Sequence, residues 1–205
     1  MTRSTLNPQP VEWCGENPGM YLKDTADGPY VALVSFFRVV LSPHGRGHAA
    51  FILLDPDGKG NHPDRPNLCA TDNEPLAAYL RDGFARHFLA FRGSKGLDHT
   101  KMIPGWDFLA GGDGTTQHVE WFRCALGQVQ LVWKGWGDRY GVELTEGKAV
   151  TGRHDMFSTF IDVREVEGHI NGKPIPGRPF PRSFAGKTDS STAFLAFAET
   201  WFARP

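Results

Sequence analysis

Dense apolar runs bounded by turn residues set the pattern of this chain. From Tyr30 to Leu41 β-branched and aromatic residues follow one another, Pro43 to Gly47 make a turn, and His48–Leu54 returns, which predicts a hairpin. Further strand-like runs lie at Asn67–Thr71, Gln117–Leu126, Gln128–Trp136, Gly141–Lys148, Phe157–Val166 and Ala193–Phe202. Asn171–Gly172 is a hairpin signal, because both residues tolerate the positive φ of a type I′ turn. One segment has a helical period instead. Leu76, Leu80, Phe84, Phe88 and Phe91 recur every three or four positions, Asp72 or Asn73 can cap the start and Gly93 follows the end. A helix over about 74–92 follows, weakened at Gly83 by roughly 1 kcal/mol relative to Ala. Residues 1–29 show no clear period and read as an irregular N-terminal segment. The glycine-rich stretch Gly93–Gly114 reads as loops with at most one short element.

Several strands are apolar on both faces. In the last, Phe194, Ala196, Ala198 and Phe202 share one face; Leu195, Phe197 and Trp201 share the other, with Glu199 between Phe197 and Trp201. Both faces must therefore be covered. The expected fold is mainly β: residues 30–205 form a single-domain antiparallel β-barrel of lipocalin/calycin-like architecture with one amphipathic helix. A β-sandwich with a helix lid is the alternative. The N-terminal G-x-W of lipocalins is absent, so the comparison is one of architecture only.

Composition sharpens this picture. Fifteen Phe, six Trp and 24 Gly mean bulky aromatics separated by many turns. Lys+Arg 22 against Asp+Glu 23 leaves no basic footprint for nucleic acid. Cys14, Cys69 and Cys124 are too widely spaced for a disulfide framework or a zinc motif. Met1–Pro10 lacks the apolar core of a signal peptide, and no run reaches the roughly 18–20 apolar residues of a membrane span. These features predict a reduced, cytoplasmic protein without a nucleic-acid or membrane partner; oligomeric state is not readable.

Common motifs fail on inspection. Gly186–Lys187–Thr188 ends like a phosphate-binding loop, but Pro181 stands where the first glycine belongs. Asp55, Asp57 and Gly60 match part of a calcium loop, whereas Lys59 and Pro66 replace two ligands. His44 and His48 flank a Gly-containing turn rather than a helix face. No metal or cofactor is expected.

What remains are ionisable groups in aromatic surroundings. His118 and Glu120 share a strand face with Phe122 and Cys124; Arg153, His154 and Asp155 precede the strand carrying Phe160; Glu199 neighbours Trp201. A carboxyl buried beside aromatics has its pKa raised, which suits proton transfer. Surface pairing, turn capping and internal ion pairs are the competing structural roles. The loop Lys173–Lys187 sets Arg178 and Arg182 beside Phe180 and Phe184 and can clamp an anion or simply close one end of a barrel. The expected function is binding of a small apolar or aromatic molecule inside a β-barrel pocket. Arg153, Arg178, Arg182, Phe160, Phe197, Trp201 and Trp121 are the candidate ligand contacts. The first alternative is a cofactor-independent acid/base enzyme, an isomerase, hydratase or cyclase, using Glu199, Glu120, His118, His154 and Asp155. The second is a non-catalytic protein-interaction subunit.

Overall fold

The computed structural model describes residues 7–204. Its strands are β1 (Val11–Glu16), β2 (Gly19–Lys23), β3 (Tyr30–Leu41), β4 (Gly47–Leu53), β5 (Asn67–Thr71), β6 (Lys101–Gly112) and β7 (Gln117–Cys124). There follow β8 (Gly127–Leu144), β9 (His154–Ile170), β10 (Lys173–Pro174), β11 (Pro181–Phe184), β12 (Lys187–Ser191) and β13 (Ala193–Ala203). Among the described residues, helix α1 (Glu74–Gly83) is the one helix longer than a single turn; α2 (Lys95–Asp98) is a four-residue piece. Strands hold 57% of residues and helices 9%, so the fold is mainly β.

Nine strands close into a ring in the order β13-β2-β3-β4-β5-β6-β7-β8-β9, with β9 pairing back onto β13. The antiparallel expectation fails at one step: β5 and β6 run parallel. The chain between them crosses over through α1 and α2, the length of connection a parallel pair requires. β1 lies beside the ring, paired with β13 and β3. At Asn171 (φ 48°) and Gly172 (φ 78°) the turn into β10 has the positive φ values read from the sequence.

Strand alternation sorts the apolar side chains into two cores. One draws on every ring strand and fills the interior, with Val34, Phe36, Ile52, Phe122, Trp133 and Leu195 among its members. Trp133 satisfies its indole N–H there by donating to the Gly19 carbonyl at 3.0 Å. The other core lies on the opposite face of β2–β5, β9 and β13, under α1 and the distal half of the β8–β9 hairpin. The double-sided apolar strands thus have two separate coverings.

Four boundaries differ from the sequence reading. Within the supposedly irregular residues 1–29, Val11–Glu16 and Gly19–Lys23 are strands and bury Trp13, Met20 and Leu22; residues 1–6 lie outside the described part. The loop region Gly93–Gly114 contains the twelve-residue β6, hidden from pattern reading because most of its side chains are exposed and a bulge at Asp107 (φ 55°) breaks its alternation. The two strands expected at Gln128–Trp136 and Gly141–Lys148 are one, β8, bent by an irregularity between Trp136 and Arg139. Within the Lys173–Lys187 loop, Pro181–Phe184 pairs with Lys187–Ser191 as a small separate hairpin.

The helix is shorter than predicted. Asn73 caps it, accepting from Leu76 N at 3.1 Å, but it ends at Gly83; a 3-10 turn (Ala85–His87) and irregular turns continue to Gly93. Phe84, Phe88 and Phe91 nevertheless keep to the apolar face, held by contacts to Trp201 and Tyr21. A Cβ at Gly83 would meet only Arg153 Nη2 at 3.8 Å. Gly83→Ala is therefore expected to stabilise the protein by about 0.5–1 kcal/mol in urea denaturation, chiefly by stiffening the unfolded chain.

Candidate functional site

β13 does not alternate strictly, and this decides where Glu199 points. Its pairing with β9 slips between Phe197 and Thr200, and Ala198 has φ 49°. The extra residue of a bulge turns the following side chains to the other face. Phe197 stays in the ring interior, whereas Glu199 and Trp201 join Phe194 on the outer side. The sequence reading, which placed Phe197, Glu199 and Trp201 on one face, is corrected by this single insertion.

Glu199 lines a lateral cavity of about 60 Å³ against the outer face of the ring wall. Its walls are mostly apolar, including Phe88, Leu144, Met156, Phe160, Phe194 and Trp201. Phe160 stacks between Phe184 (4.6 Å) and Phe194 (4.7 Å), and Gly19 allows the Phe194 ring to sit where a Cβ would come within 2.4 Å of it. Arg182 lays its guanidinium over Phe194 (4.7 Å) and Phe184 (4.9 Å); among the described residues its Nε has no hydrogen-bond partner.

Glu199 itself is 3% exposed. Trp201 Nε1 donates to its Oε1 at 2.6 Å, and Asn17, which accepts from Ser35 Oγ at 2.7 Å, stands beside it. Burial dominates these hydrogen bonds and pushes the carboxyl up to about 7. The cavity thus holds a group able to give or take a proton near neutrality.

A second cluster lies at one end of the ring interior. Arg38 donates Nη2 to Glu120 Oε2 at 2.5 Å and Nη1 to His48 Nε2 at 2.8 Å, with Glu16 Oε2 3.6 Å from its Nε. A guanidinium only donates, so His48 Nε2 accepts; its ring proton sits on Nδ1 and goes to Asp72 Oδ2 at 2.7 Å. Glu120, fully buried, also faces His118 Nε2 at 3.0 Å through Oε1. His118 reaches the floor of a cavity of about 270 Å³, shared with Gln117, Trp136, Arg139 and Phe197.

The remaining candidates are scattered. His154 is buried, stacks on Phe84 at 4.9 Å and lines a third cavity with Arg153; desolvation and Arg153 hold its pKa below the usual imidazole value. Asp155 is buried 3.6 Å from Arg204 and lines neither of the first two cavities. Arg178 is exposed over Phe180, and Trp121 lies on the face of β7 opposite His118, under Arg123. The sequence reading missed Asn17, Arg38, His48, Asp72 and Glu16 as site members; their partners come from distant strands. No known protein family, curated protein or solved structure matches this chain. No described helix is long and apolar enough to cross a membrane.

Proposed function

We propose that the protein binds a small, largely apolar or aromatic molecule in the lateral cavity, with Glu199 meeting the one polar group of that molecule. The observation carrying this reading is a buried carboxyl at the wall of an apolar cavity, its pKa pushed up to about 7 by that burial. The ligand then lies against the outer wall of the nine-stranded ring, whereas the sequence reading placed it inside a β-barrel. A volume of about 60 Å³ exceeds the roughly 10–15 Å³ that one water requires. It favours a ligand of one ring or a short branched chain. Arg182, stacked on the aromatic wall, supports a ligand with an acidic or phenolic edge.

The pKa of Glu199 also favours the enzymatic form of this reading: proton abstraction or donation on the bound molecule without a cofactor. Native mass spectrometry of freshly purified protein, followed by denaturation and identification of released compounds, tests the binding. The expected result is a retained monocyclic or short-chain compound, lost in Val150→Phe, which fills the space. An apo mass with no thermal shift across a panel of small phenols and aromatic acids would overturn it.

A further inference from the structure

The ring-end cluster carries a chemistry that the lateral cavity does not need. One donor atom from each of Glu16, His118 and Glu120 lies within 4.8 Å of the others. We infer that these three residues form a binding site for a divalent transition-metal ion of the zinc or manganese kind. An imidazole with two carboxylates is a donor set these ions accept, at metal–ligand distances near 2.0–2.2 Å.

Charge balance supports the assignment. Three carboxylates, Glu16, Glu120 and Asp72, converge on the cluster. Among the described residues, Arg38 is the one guanidinium that faces them. The ring end therefore gathers more carboxylates than guanidinium groups. A divalent ion would neutralise that excess.

The supporting contacts fit the same role. Arg38 occupies Glu120 Oε2 and leaves Oε1 turned toward His118, so it orients a ligand rather than blocking it. Glu16, with its side chain 34% exposed, has freedom to close the triad. The cavity reaching His118 supplies an approach path, and it contains a buried donor, Trp136 Nε1, that has no partner among the described residues.

The test uses full-length protein stripped with a chelator and titrated with Zn²⁺ by calorimetry, with Co²⁺ absorption as a spectroscopic report on the ligand set. One equivalent should bind, raise Tm by several degrees and give ligand-field bands. Glu16→Gln and His118→Asn should each weaken binding by at least the roughly 10–100-fold that even outer-shell changes cost. His44→Ala and His62→Ala should not change it. Absence of stoichiometric binding, or binding that survives both cluster variants, would overturn the site.

Discussion

Glu199→Gln should stabilise the protein at pH 8 and change it little at pH 5. The carboxyl has its ordinary pKa of 4.5 raised to about 7 by burial. Between those values the unfolded chain has released the proton while the native state still holds it. Stability must therefore fall as pH rises through that window and level off above about 7. A displacement of this size corresponds to about 3 kcal/mol between the two plateaus. Gln keeps the acceptor for Trp201 Nε1 and removes the ionisation. Urea denaturation of both proteins from pH 4 to 9 reads the difference; parallel profiles would show that Glu199 ionises in the native state as freely as in water.

Arg38→Met should be the most damaging single change at the ring end. It leaves Glu120, with no exposed surface, facing His118 and the like-charged Glu16 without a guanidinium. Stranding a buried charge costs about 3–5 kcal/mol. Adding Glu120→Met to the same chain should recover most of the loss, because an apolar pair of similar volume suits the neighbouring Phe36 and Phe122. A double-mutant cycle in the presence of chelator measures the coupling. Additive losses would mean that the two residues do not act as a unit.

Much of the fold was legible where burial and periodicity coincide. β3 and β5 match the sequence reading residue for residue, and β4 lies within one residue of it, because their side chains are buried on both faces. β6 was not legible. Its backbone pairs on both sides while its side chains face solvent, so ladder hydrogen bonds rather than burial define it. The candidate site shows the same division. Glu199 and the His118–Glu120 face could be found within one strand. Arg38, Glu16 and Asp72 could not, since each meets its partner only through closure of the ring. Nor does alternation foresee a bulge, which is why Glu199 and Phe197 were set on one side.

That bulge has a consequence for how the chain can change. On either side of Ala198, β13 is written in two frames: Leu195 and Phe197 are read by the ring interior, Glu199 and Trp201 by the lateral cavity. Substitutions before the frameshift and after it therefore act on different environments although they lie two residues apart. One strand can tune the packing beside His118 and the acidity of Glu199 as independent variables, with a single alanine as the punctuation between them.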